Sequence, residues 1–202
     1  MLQAIQIPFA TPGVDFSIGP DGFPAFRLDP EADIKAPYRL HLPPSLFRNF
    51  AIGVTLKPNT PHGGYIFAVV NPTETVVQLG LKLSASDEST ANLTLYYTDV
   101  DMHLTSQAIV TFVVPDFVGL WTRLAIRVKE NNISLYYNCE EFSTTMIRRI
   151  PKSLVFDTAS TLYIGQGGTI LNAHYQGGLQ ELKIYNKPRV AEIYCDAAFQ
   201  LL

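Results

Sequence analysis

The chain has 202 residues, 47% of them hydrophobic and 16% charged, enough for one globular domain with its own core. Fifteen basic and 18 acidic residues leave a net charge of −3, which speaks against nucleic-acid binding driven by overall positive charge. The longest apolar runs, such as Tyr65 to Val70, fall far short of the ~18–20 residues of a membrane span, and the 14 Pro and 13 Gly show no Gly-X-Y period.

Eight of the 14 prolines lie in residues 1–44, which therefore read as an extended arm. Within it a short helical turn is expected over residues 2–6 and a strand at Ala25-Phe26-Arg27-Leu28. Residues 1–8 show neither a basic start nor an apolar stretch long enough for a secretion signal, so a secreted origin requires a leader upstream.

Beyond Pro44 the spacing changes. Phe50, Ile52, Val54 and Leu56 alternate with Ala51, Gly53 and Thr55. The same period of two runs through Val77, Leu79, Leu81 and Leu83, then Leu93, Leu95 and Tyr97, then Val110, Phe112 and Val114. It continues through Leu124, Ile126 and Val128, then Ile133, Leu135 and Tyr137, with shorter pieces at Leu162/Ile164 and Leu182/Ile184. This pattern predicts antiparallel strands with one buried and one wet face. Connectors such as His62-Gly63-Gly64, Asn71-Pro72 and Lys129-Glu130-Asn131-Asn132 supply turn chemistry. Helical spacing is confined to the C-terminal stretch, where Asn186 could cap and Val190, Ile193, Tyr194 and Ala197 could share a face. About a dozen short strands with little helix predict an all-β fold of two packed sheets, a β-sandwich or jelly roll.

Few motifs carry chemistry. Gly165-Gln166-Gly167-Gly168-Thr169 lacks the Lys-Ser/Thr ending of a phosphate loop and reads as a turn. There is no Gly-x-Ser-x-Gly or His-Glu-x-x-His, and the four histidines, at 41, 62, 103 and 174, are scattered. Asp99 and Asp101 could face one way at a strand end and attract Ca²⁺, though solvated loop acids are the simpler reading. Cys139 and Cys195 stand in no CxxC pair and are either buried thiols or a disulfide. Asn92-Leu93-Thr94 and Asn132-Ile133-Ser134 are N-glycosylation sequons, whereas proline blocks Asn71-Pro72-Thr73. Trp121 is expected to be buried where its strand begins.

The cations fall into three groups. If Leu124, Ile126 and Val128 point inward, then Arg123, Arg127 and Lys129 project from the opposite face, spaced by about 7 Å per two residues. Arg148, Arg149 and Lys152 lie near a turn at Pro151, and Lys183, Lys187 and Arg189 near the C-terminal end. The first two groups are the candidates for binding a sulfated polysaccharide. Glu130, Glu140, Glu141 and Glu181 are candidates to neutralise them. Should the strand cations lie apart from the other groups, heparin affinity is expected to be weak at physiological salt.

Several stretches resemble a known family. Trp121-Thr122-Arg123-Leu124-Ala125-Ile126-Arg127-Val128 is similar to a strand of laminin-G-like domains. Ile133 to Glu140, Leu162 to Gln166 and Gly178 to Ile184 are similar to the strands that follow in their thrombospondin N-terminal-like branch. Pro44 to Phe50, Leu79 to Ser84 and Phe117 to Thr122 resemble more closely the N-terminal domain of the multiplexin collagens, types XV and XVIII, with type XV the nearer. The resemblance covers residues 39–196. It implies a domain over 39–202 with residues 1–38 as an arm packed on it, and a concanavalin-like jelly roll of two curved antiparallel sheets. It also implies a Cys139–Cys195 disulfide and no catalytic activity.

The same resemblance implies secretion into basement-membrane-zone matrix at the N-terminal end of a collagen. The parent collagen would be trimeric and the isolated domain a monomer. Expected partners are matrix proteins and heparan sulfate, with no nucleic acid and no membrane insertion. No cofactor is expected, although relatives often hold Ca²⁺ between sheet-edge loops. The acidic balance of this chain departs from the heparin-binding relatives. Two further readings stand beside this one: a Ca²⁺-assisted lectin for neutral glycan around Asp99 and Asp101, and a jelly-roll glycoside hydrolase or lyase with facing carboxylates.

Overall fold

The computed structural model describes residues 11–87 and 89–195. The helical turn expected over residues 2–6 lies outside them, as does Ala197. In chain order the elements are β1 (Val14–Ile18), β2 (Pro24–Leu28), β3 (Ile34–Pro37), a 3₁₀ turn (Tyr38–Leu40), β4 (Phe50–Pro58) and β5 (Gly64–Val70). Then follow β6 (Val77–Ala85), β7 (Thr90–Tyr97), β8 (Ala108–Pro115), β9 (Thr122–Lys129), β10 (Asn132–Tyr137) and β11 (Glu140–Met146). β12 (Thr161–Ile164), α1 (Gly168–Leu171), β13 (Gly177–Tyr185) and α2 (Val190–Ile193) complete the described chain.

The strands form two antiparallel sheets. One has seven strands in the order β1-β2-β13-β4-β9-β10-β11, the other six in the order β3-β12-β5-β6-β7-β8. Together they make a jelly-roll sandwich, the all-β architecture that the alternation predicts. The inward set is the one read from the sequence. Leu79, Leu81 and Leu83 of β6 and Leu93, Leu95 and Tyr97 of β7 meet Leu124, Ile126 and Val128 of β9 and Ile133 and Leu135 of β10 in one apolar cluster. Burying each such side chain is worth about 1.5–3 kcal/mol, so the facing rows supply most of the drive for closure. The stretch before residue 39 supplies an edge to each sheet: β1 and β2 extend the seven-stranded sheet and β3 borders the six-stranded one.

Two strands are buried on both faces along nearly their whole length. β5 is buried at every position and β4 at every position except Lys57, because their outer faces are also covered. Over β4 lies α2, whose Val190 and Ala191 join Tyr194, Ala51, Ala125 and Tyr136 in a second apolar cluster. Gly53 makes this possible: a Cβ there would come within 2.5 Å of the Tyr194 ring. The Tyr194 hydroxyl lies 3.2 Å from Thr55 Oγ1 and donates to Glu181 at 3.0 Å. The expected helical face is thus corrected in part. Ile193 points to solvent, 42% exposed, and the residue flanking the helix start is Arg189 rather than Asn186.

Cys195 follows Tyr194 directly and is disulfide-bonded to Cys139 across a separation of 56 residues, with Cα atoms 5.6 Å apart. The bond ties the segment after α2 to the start of β11. Trp121 is half-buried rather than fully enclosed, its ring lying over Gly178, where a Cβ would approach to 2.6 Å.

Closing so long a loop restricts the unfolded chain by about 4 kcal/mol on chain-entropy grounds. Replacing Cys139 and Cys195 together by Ser is expected to lower stability by up to that amount while the sandwich still unfolds cooperatively. Urea titration followed through Trp121 fluorescence checks this, and a non-cooperative transition would contradict it.

A basic rim held together by a buried arginine

At one end of the sandwich three segments converge: the loop entering β4 around Arg48, the β9–β10 turn around Glu130, and residues 147–152. A single side chain joins them. Arg149 is 2% exposed. Its Nη2 donates to the main-chain oxygen of Arg48 and, at 3.5 Å, to that of Glu130. Its Nη1 donates to the main-chain oxygen of Lys152 at 2.8 Å and to the Tyr97 hydroxyl at 3.1 Å. The guanidinium carbon also lies 5.2 Å from the centre of the Tyr97 ring and 5.9 Å from that of Phe50. A buried charge is tolerated when most of its donors are answered. Here carbonyl dipoles, a hydroxyl and two ring faces answer both terminal nitrogens, while Nε is buried without a hydrogen-bond partner. Burial pushes the Tyr97 phenol up, against the pull of Arg149, so it stays protonated and donates to Pro151 O at 2.9 Å.

This overturns one sequence expectation. By its place in the chain Arg149 ranks with the cations open to a polysaccharide; folded, it has almost no surface to offer. What it does is hold in place the backbone of residues that do have surface. Arg48, Lys129, Arg148 and Lys152 are all exposed around it. One carboxylate stands among them. Glu130 accepts from Arg48 Nη2 at 2.7 Å and Arg48 Nε at 3.2 Å, and pairs with Lys152 Nζ at 3.4 Å. Asn49 fixes that turn from both sides, accepting from the Glu130 main-chain N–H at 2.7 Å and donating to Glu130 Oε1 at 3.3 Å. These hydrogen bonds, led by that from Arg48, hold the Glu130 carboxyl at about 2. Among the exposed side chains, Arg48, Lys129, Arg148 and Lys152 against Glu130 sum to +3, with the buried Arg149 behind them, on a chain whose total is −3.

The strand cations behave differently. Arg123, Arg127 and Lys129 do lie on the face opposite Leu124, Ile126 and Val128, but they do not act together. Arg123 pairs with Asp21 at 2.5 Å and Arg127 with Glu192 at 2.5 Å. Arg127 also donates to Ser134 Oγ at 2.9 Å and lies 5.6 Å from the centre of the Tyr136 ring. Lys129 alone of the three joins the rim. In the third group Lys183 pairs with Glu181 at 2.6 Å, and Arg189 lies 3.9 Å from Glu192. Arg48 was missed because it stands alone in the sequence, with no neighbouring cation to mark it.

The remaining candidates are spread over the surface. Asp99 and Asp101 share one turn, in which Asp99 Oδ1 accepts the Asp101 main-chain N–H at 3.0 Å. Among the described residues no group of three or more His, Cys, Asp or Glu is placed to hold a metal ion. Asn92 is half-buried on the outer face of β7, between Ser84 and Val113, and Asn132 is exposed at the start of β10, between Lys129 and Met146.

No family model matches the chain. The human collagen alpha-1(XVIII) chain is 32% identical to it over 176 residues, 87% of this chain. This chain is a homologue of a multiplexin collagen. It spans 10% of that collagen's length, and the match bears on the group rather than on the choice of type XV. Among solved structures, the enzymatically active domain of bacteriophage CBA120 tailspike protein 2 superposes with a TM-score of 0.60 at 14% identity, over 91% of this chain and 29% of that one. A heptameric SAP-like pentraxin from Limulus polyphemus gives 0.57 at 17% identity, over 75% and 70%. Domain 4 of AbnA, a GH43 extracellular arabinanase from Geobacillus stearothermophilus solved with arabinotriose, gives 0.57 at 18%, over 89% and 79%. At these identities the likenesses show the fold of this chain, and only the fold.

Arg149→Met leaves three carbonyls and a hydroxyl without their donor, at a cost of roughly 3 kcal/mol or more in unfolding free energy. Arg149→Lys should recover only part of this, because an ammonium lacks the planar fork. A loss below 1 kcal/mol for Arg149→Met would mean that the guanidinium is not what joins the segments. The pH dependence of Glu130 follows from its depressed carboxyl. Its folded value, about 2, lies below its ordinary value of 4.5, so its contribution is complete above pH 4.5 and is lost as pH falls through about 2. NMR titration of the Glu130 carboxyl carbon checks this, and a midpoint near 4.5 would show that the rim contacts do not persist in solution.

Proposed function

We propose that this chain is a non-enzymatic extracellular-matrix module that binds sulfated glycosaminoglycan, of the heparan sulfate type, through the rim of Arg48, Lys129, Arg148 and Lys152. The observation that carries the reading is the placement of charge: at one end of a chain that is acidic in total, Arg48 and Lys152 share the carboxylate of Glu130, and Lys129 and Arg148 are exposed on the same converging segments. Sulfate groups meet such a surface by charge-assisted hydrogen bonds from Arg and by point attraction to Lys. The multiplexin homologue supports a matrix setting, and the disulfide suits an oxidising compartment. In a trimeric parent the rim would be presented three times, so modest single-site affinity suffices for tight retention on a long polyanion.

Immobilised heparin tests the reading. Arg48→Ala, Arg148→Ala and Lys152→Ala combined should elute at distinctly lower salt than the unaltered chain, while Arg123→Ala with Arg127→Ala should elute unchanged. The reverse order would move the site to the strand face, and equal elution of all three forms would remove the rim from consideration.

A further inference from the structure

Resting on that reading of the rim, we infer that N-glycosylation at Asn132 closes it, so that the chain exists in a polyanion-binding form and a masked form distinguished by one sugar attachment. Asn132-Ile133-Ser134 is a sequon, and Asn132 is exposed. Ile133 and Leu135 face the core, so Asn132 belongs to the outer face of β10. There it is paired with Lys129 on one side and with Met146 on the other. Side chains directly opposite one another stand about 5 Å apart, so a branched oligosaccharide on Asn132 begins beside the Lys129 ammonium stem. The next turn residue, Asn131, accepts the Ile147 main-chain N–H at 2.7 Å, which brings Arg148 alongside. Two residues before Asn132 stands Glu130, the shared partner of Arg48 and Lys152. The attachment point is therefore inside the rim. A bulky, hydrated glycan excludes a second polysaccharide from the same few side chains.

The other sequon provides a contrast within the same molecule. Asn92 lies on the outer face of the six-stranded sheet, five residues, or about 17 Å, along β7 from the Tyr97 end that meets Arg149. A glycan there leaves the rim open. Ser134 adds a constraint on timing. Its side chain is fully buried, accepting from Arg127 at 2.9 Å and from Thr144 at 2.7 Å. The sequon hydroxyl is thus available to a transferase only before β10 pairs with its neighbours. The masked or open state is set during synthesis and persists in the folded protein.

The test uses the full 202-residue chain, secreted from mammalian cells behind a leader, with site occupancy read by glycopeptide mass spectrometry. Four forms are compared on immobilised heparin: the fraction glycosylated at Asn132, that fraction trimmed enzymatically to a single N-acetylglucosamine, Asn132→Gln, and Asn92→Gln. The Asn132-glycosylated fraction should bind at least tenfold more weakly than Asn132→Gln. Trimming should restore most of the difference, and Asn92→Gln should change nothing. Absence of sugar at Asn132, or equal retention of the glycosylated and trimmed forms, would overturn the inference while leaving the rim reading intact. Failure of Asn132→Gln itself to bind heparin would overturn the rim reading, and this inference with it.

Discussion

Closing two sheets over one another hides the apolar rows but leaves the loops at each end with main-chain carbonyls that lose water. At one end of this sandwich Arg149 answers three of them with the two terminal nitrogens of one guanidinium, which also donates to Tyr97. A neutral amide could meet two such acceptors; only the planar, five-donor fork of Arg can serve three segments at once. The loop before β4, the β9–β10 turn and residues 147–152 owe their relative positions to that side chain. The surface they expose is a consequence of how the core end is sealed.

Electrostatically, the molecule shows how little net charge says about a binding surface. A total of −3 coexists with a local +3 because the acids are used elsewhere. Asp21 and Glu192 neutralise the two arginines of β9, and Glu181 neutralises Lys183. At the rim, by contrast, Arg48 and Lys152 share the single carboxylate of Glu130. Exposed ion pairs contribute little to stability, from nothing to about 1 kcal/mol each, so their main effect here is to decide which cations remain available to a polyanion.

Much of the architecture is legible in the alternation of Leu79–Leu83, Leu93–Tyr97 and Leu124–Val128, since a period of two allows only strands with a common inward face. The double burial of β4 is not legible. Ala51, Gly53 and Thr55 look like a wet face because they are small and one is polar, yet they are small so that α2 and Tyr194 can lie on them. The rim was half legible. Arg148, Lys152 and Lys129 are visible as cations, but which of two adjacent arginines is buried depends on an irregular segment where no period applies. The pairing of Arg48 with Glu130 spans 82 residues and that of Arg123 with Asp21 spans 102, beyond any local signal.

The most direct measurement of the central claim is a binding footprint. Amide chemical-shift changes on adding a heparin oligosaccharide to the isotopically labelled chain should concentrate at residues 48–49, 129–132 and 147–152, with the outer face of β9 around 123–127 silent. A footprint centred on residues 123–127, or on the outer face of the six-stranded sheet, would contradict the account.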